Sequence, residues 1–224
     1  MTVTSIAVPI PAYMLTVVVA YLLGSIPTGF LVGKARGIDI RTVGSGNIGA
    51  TNALRVLGKP AGISVLLIDG LKGYLAVEVA SALVKSLVYP NAGPVESEWF
   101  RITAGIAAIL GHNYTCWLHF KGGKGIATSA GVLTALVPIP LLIILSVWII
   151  VFALTRYVSL ASMSASFTLP FATLVTGGSL RLILVTAGMA ILAIYKHKSN
   201  IKRLLDGTEN RFGGKKPASG QVPG

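Results

Sequence analysis

Charge is scarce in this chain, acid scarcer, and cysteine almost absent. Of 224 residues only 12% are Asp, Glu, Lys or Arg, about half the share in ordinary soluble domains. That shortage excludes an extramembrane domain of any size. The single cysteine, Cys116, excludes an intramolecular disulfide and a cysteine-rich metal site. No Lys or Arg precedes Lys34, so the first apolar run lacks the basic flank of a cleaved signal peptide and is expected to be a retained span. There is no Gly-x-Ser-x-Gly elbow, no His-x4-Asp motif and no good Ser-His-Asp candidate. His112 and His119 stand seven apart, but without a carboxylate or thiolate pattern beyond Cys116 they predict no metal site.

What remains is apolar and basic. Hydrophobic residues make up 53% of the chain and the net charge is +12. In a soluble protein such a charge would point to nucleic acid. Here it points to topology and to anionic lipid, and no nucleic-acid partner is expected. A span needs roughly 17–25 apolar residues. Seven candidates follow: residues 12–32, 60–88, 100–115, 125–137, 141–154, 158–175 and 180–195. The turn at Pro138-Ile139-Pro140 separates the fourth from the fifth. Three of the seven are short, and five or six spans remain open. The expected fold is all-α, a polytopic membrane bundle of about seven helices.

Charge orients the bundle. Fifteen of the nineteen basic residues fall in residues 34–59, in Lys121 and Lys124, at Arg156 and after Tyr195. With seven spans all four regions share one side, and the positive-inside rule makes that side cytoplasmic. The expected topology places the N-terminus outside and the C-terminus inside.

Three polar clusters land on that face. The first is a glycine-rich loop, Gly44, Ser45, Gly46, Asn47, Gly49, Thr51 and Asn52, followed by Arg55. Its amides read as an anion nest, its side chains as neutral donors, and Arg55 as a charge suited to phosphate. It matches Gly-x-Gly-x-x-Gly with Asp69 twenty residues on. The dinucleotide reading fails, because the preceding run is long enough to span a bilayer and Asp69 lies in another apolar run. Nor is it a Walker A loop, since Ala50-Thr51 stands where Lys-Ser/Thr would. The second cluster runs from Gly111 and His112 to Lys121, Gly122, Gly123, Lys124 and Gly125. Paired glycines before an apolar helix offer free amides and a positive dipole end, so a second anion site is expected. The third holds His197 and Asn200, one turn apart where the last span emerges, within a basic segment that also fits a lipid-surface helix. Asp69 and Lys72, three apart inside the second run, read as a structural pair.

Taken together, these motifs resemble the PlsY family, bacterial membrane glycerol-3-phosphate acyltransferases that use acyl phosphate as donor. The similarity covers residues 12–212 and includes Tyr21 to Gly29, Asp69-Gly70-Leu71-Lys72-Gly73, and Gly207 with Glu209. It implies a seven-helix bundle whose site lies on the cytoplasmic face of the bacterial inner membrane. It implies acyl transfer from acyl phosphate to the 1-hydroxyl of sn-glycerol 3-phosphate, giving lysophosphatidate and phosphate, the first step of phospholipid synthesis. Carried over residue by residue, Ser45, Arg55, Lys124, His197 and Asn200 are catalytic. Gly44, Gly46, Asn47, Gly49, Thr51, Asn52, His112, Lys121, Gly122 and Gly123 bind substrate. No cofactor, metal or obligate protein partner is implied beyond membrane lipids. Residues 1–212 form one membrane-embedded domain and 213–224 a flexible basic tail. A transporter of a phosphorylated solute is the competing reading. It requires polar residues continuing to the opposite face, where Glu96, Glu98 and a few flanking charges stand, and inverted repeats. A lipid-binding scaffold explains the tail but not the glycine loops.

Overall fold

The structure is a computed structural model that describes residues 9–213; the expected flexible tail lies almost entirely outside these residues. Ten α-helices follow one another, and no strand occurs among the described residues. They are α1 (Ile10–Ser25), α2 (Thr28–Lys34), α3 (Ala50–Leu57), α4 (Lys59–Leu83), α5 (Pro94–Asn113), α6 (Ile126–Leu136), α7 (Pro138–Thr155), α8 (Val158–Val175), α9 (Leu180–Lys196) and α10 (Lys198–Leu205). Each of the seven apolar runs is helical. By length and composition, the helices able to cross a membrane are Ile10–Lys34, Pro138–Thr155 and Val158–Val175, with α9 and α10 a fourth if that pair, bent by 56°, counts as one.

The first run is not one straight helix. Pro27 has no N–H to donate and disfavours helical backbone at the residue before it. Ile26 accordingly sits at φ −54°, ψ 114°, and its carbonyl leaves the helical ladder. At the Pro138 turn, Val137 takes φ −146°, ψ 70° and separates α6 from α7. In α5 the helix begins at Pro94, six residues before the expected start, because Pro at its first position already has helical φ.

Packing is by small residues, as expected where lipid removes the hydrophobic drive between helices. On α6, a Cβ at Gly131 would overlap the Gly70 carbonyl of α4, and one at Gly73 would overlap that of Thr128. Gly24 of α1 meets the Ala108 backbone of α5 in the same way. The main core gathers Ala20, Val77, Ala108, Val132, Leu133 and Leu169. A second small core, around Ile40, Ile48, Ala53 and Val65, seats α3 and the glycine loop against α4. Outward-facing Leu, Ile, Val and Phe on α4, α7, α8 and α9 are exposed, as lipid-facing surfaces are. The chain is thus an all-α polytopic membrane bundle.

Candidate active site

The site is built from helix ends. α9 stops at Lys196, His197 takes φ −96°, ψ 8°, and α10 departs at the 56° bend. His197 is buried, 3% exposed. Its Nδ1 lies 2.8 Å from the Ala193 carbonyl, which can only accept. Nδ1 therefore carries the hydrogen and Nε2 keeps a free lone pair. One turn on, Asn200 is buried, 5% exposed. Its Oδ1 accepts from Lys124 Nζ and its Nδ2 donates to Glu209 Oε1 at 2.7 Å.

Glu209 is the hub that sequence reasoning left out of the site. Its Oε1 also accepts from Ser159 Oγ at 2.7 Å, and its Oε2 from Arg203 Nε at 2.7 Å. Burial pushes this carboxyl up, but the hydrogen bonds from Ser159, Asn200 and Arg203 outweigh it and hold the group below its ordinary value. The chain reaches it through Gly207, whose φ of 68° suits a residue without Cβ. The amides of Thr208 and Glu209 then fold back on the Arg203 carbonyl at 2.8 and 3.0 Å. Downstream, Phe212 N donates to the Arg156 carbonyl at 2.9 Å and its ring packs edge-on to Phe152 at 5.5 Å. The sequence sign of Glu209 is the family resemblance, which includes Gly207 with Glu209; the segment itself carries a second acid, Asp206.

Lys124 lies on the strap between α5 and α6. Burial pushes its ammonium down to about 8; Glu209 pulls it up, and Arg203, Arg55 and Lys196 push it down further. Arg55, exposed on α3, lies within electrostatic reach of Glu209 and Arg203. Lys196 Nζ donates to the Asn113 carbonyl at 3.1 Å and sits 4.4 Å from the Tyr114 ring centroid. Arg55, Lys124, His197 and Asn200 are therefore brought together, with Glu209, Arg203, Lys196 and Ser159 added.

The other expected site residues serve the loops. Ser45 N donates to Asn52 Oδ1 at 2.9 Å, Gly49 N to Asn47 Oδ1 at 2.8 Å and Gly46 N to the Val43 carbonyl at 3.1 Å. Asn52 Nδ2 donates to the carbonyls of Ile40 and Val43 at 3.2 and 3.1 Å. Within the expected anion nest, these three amides and the whole Asn52 amide group hold the loop's own shape. Gly44 and Ser45 remain exposed, and Thr51 shares an exposed face of α3 with Arg55. The expectation for Gly122 and Gly123 changes. Their amides donate to the carbonyls of Asn113 and His112 at 3.2 and 3.1 Å, so they are not open to an anion. A Cβ at Gly122 would overlap the His112 carbonyl, and one at Gly123 the His112 ring. These glycines allow the strap to lie flat on the end of α5. His112 is 4% exposed beneath it, and Lys121 is exposed and outside the cluster.

Comparison with known proteins agrees with this architecture. The family described as glycerol-3-phosphate acyltransferase matches residues 14–207. A glycerol-3-phosphate acyltransferase of Fusobacterium nucleatum is 44% identical over 202 residues, covering 90% of this chain and 98% of the relative. One from Geotalea daltonii is 47% identical over 193 residues, covering 86% and 94%. The crystal structure of PlsY, an integral membrane glycerol 3-phosphate acyltransferase, in its glycerol 3-phosphate form superposes with a TM-score of 0.78 at 39% identity, covering 90% of this chain and 96% of that one. With a matched family spanning nearly every helix and an all-helical membrane fold around a cluster of cations, the chain belongs to the glycerol-3-phosphate acyltransferase family of which PlsY is a member.

Proposed function

We propose that this acyltransferase moves a fatty acyl group from acyl phosphate to the 1-hydroxyl of sn-glycerol 3-phosphate, releasing lysophosphatidate and inorganic phosphate. The observation that carries the reading is the charge imbalance of the site: Arg55, Lys124 and Arg203 gather around one carboxylate, Glu209, already engaged by three donors, and Lys196 adds a further positive charge beside Lys124. Such a cluster suits two phosphate-bearing substrates. The substrate of the named relatives and the ligand of the PlsY crystal form support the acceptor.

In the reaction the glycerol oxygen forms a bond to the acyl carbonyl carbon, and the carbon–oxygen bond to phosphate breaks. The electron pair of that bond leaves on the phosphate. Lys124 and Arg55 neutralise phosphate charge, and preorganised cations in a site with little water supply much of the rate. The hydroxyl proton passes to a phosphate oxygen of the donor, and His197 Nε2, as an acceptor, takes a hydrogen bond from the other hydroxyl of the glycerol phosphate and so orients it. His197 as the general base is the other route. We place the cluster on the cytoplasmic face of the bacterial inner membrane, because the basic segments lie there under the positive-inside rule, and the acyl chain among the spans.

The test is donor choice. Purified protein with labelled glycerol 3-phosphate should form lysophosphatidate from palmitoyl phosphate and little from palmitoyl coenzyme A. Equal rates with both donors would overturn the acyl-phosphate assignment.

A further inference from the structure

A second ionic cluster lies away from the substrate cations, between α1, α4 and α5. Lys72 and Asp69 are 5% and 1% exposed, and His112 4%. A lysine ammonium has three hydrogens and no lone pair. Lys72 Nζ hydrogen-bonds the Ile26 carbonyl at 2.6 Å and His112 Nδ1 at 3.0 Å, and lies 2.8 Å from Asp69 Oδ1 as an ion pair without hydrogen-bond geometry; His112 Nδ1 is the third group of this cluster. The first is the carbonyl that Pro27 freed from the helical ladder. The third settles the imidazole. Facing an ammonium hydrogen, Nδ1 offers its lone pair, so the ring hydrogen is on Nε2. That edge of the ring lies against Gly123, where a Cβ would overlap it. The carbonyls of His112 and Asn113 in turn hold the amides of Gly123 and Gly122. Lys124 is the next residue.

We propose that Lys72, neutralised by Asp69, is a positioning residue: it holds His112 as the Nε2–H tautomer and through that ring seats the strap that aims Lys124 at Asn200. The role of Lys124 rests on the acyl-transfer reading above; the tautomer does not. The two site histidines then have opposite tautomers, His112 with its hydrogen on Nε2 and His197 on Nδ1. A buried pair that only braced helices would be replaceable by apolar residues, since such swaps are often neutral or stabilising. The positioning role makes the opposite demand.

The experiment uses full-length protein labelled with 15N-histidine, the His112 signals being assigned by their loss in His112→Gln. In the parent the His112 Nδ1 resonance should be that of an unprotonated nitrogen. In Asp69→Leu/Lys72→Met, chosen to leave no buried ion unpaired, that signature should give way to a mixture of tautomers. Turnover with acyl phosphate should fall about tenfold to a hundredfold, the range that small misplacement of a catalytic group produces. Lys124→Ala added to this background should cost less than about threefold, because both changes then act through one group. Gly123→Ala, which leaves the ion pair intact, should reproduce the loss of turnover. A protonated Nδ1 in the parent, or a Lys124→Ala effect that multiplies in full, would overturn the proposal. A parent that folds with the expected 15N pattern but transfers no acyl group would instead sink the acyl-transfer reading.

Discussion

The two ends of the bundle treat arginine differently. Toward the start of α5 and α9, each arginine has its own acid: Arg101 binds Glu78 through both terminal nitrogens at 3.1 and 2.7 Å and also the Ala135 carbonyl at 2.8 Å, and Arg181 meets Glu98 at 2.7 Å. Toward the far ends of the same helices, Arg55, Lys124 and Arg203 share Glu209, and Lys196 adds charge beside Lys124 with no acid of its own among the described residues. One-to-one pairs neutralise charge and tie helices together. A shared acid leaves positive charge uncompensated, which lowers stability unless an anion arrives. On the acyl-transfer proposal, the excess cations are where the charge of the substrates' phosphates belongs.

The largest expected effect comes from removing a shared-end cation. A charged hydrogen bond is worth roughly 1.5–3 kcal/mol, and every 1.4 kcal/mol counts tenfold. Arg55→Ala and Lys124→Ala should each lower kcat/KM by about tenfold to a few hundredfold, measured with acyl phosphate and glycerol 3-phosphate. Near-parental rates in both would place the phosphates elsewhere.

A smaller effect follows from pH. Lys124 in the free protein titrates near 8 rather than at its ordinary 10.5. As pH rises through about 8 it loses its charge, so kcat/KM for glycerol 3-phosphate should fall by up to about tenfold per unit. Lys124→Arg should move that limb to higher pH, since a guanidinium stays charged. The stability sign is opposite. Between about pH 8 and 10.5 the unfolded chain holds the extra proton, so this group makes folding more favourable as pH rises across that window. A limb unchanged in Lys124→Arg would assign it to another group.

The smallest effect on activity belongs to the paired end. Arg101→Met/Glu78→Leu should leave kcat and KM within about threefold. Its half-exposed pair is worth about 1 kcal/mol, or roughly 2–4 °C in the thermal midpoint for a chain of this size. A large loss of turnover without loss of stability would erase the distinction between the two ends.

Much of this was legible in the sequence, unevenly. Apolar length located helical stretches, because burying an apolar run in lipid leaves the backbone few options, but it did not show the break at Pro27 or fix the number of spans. Glycine-rich loops beside cations pointed to Arg55 and Lys124, and the end of the last span to His197 and Asn200; the fold brings these four together. The sequence does not show which amides of the glycine loops are already engaged. Composition shows that a loop has unshielded N–H groups; only the folded chain shows that Asn52, Asn47, His112 and Asn113 already accept from several of them. Glu209 was passed over for the same reason. Its partner Ser159 lies fifty residues upstream, and no local pattern links the two. Lys72 was read as a local pair with Asp69. Its bonds to Ile26 and His112 cross forty or more residues.

The last helix has a consequence for how the protein is made. Lys124 meets Asn200 across 76 residues, and Glu209, which fixes Asn200, lies beyond α10. Every apolar helix precedes Glu209 in the chain. A nascent chain can therefore be inserted helix by helix while its acid hub is still to be synthesised, and the cluster closes only after translation has passed the turn at Gly207. A chain interrupted before that point lacks Glu209 and leaves Asn200, Ser159 and Arg203 without their shared acceptor.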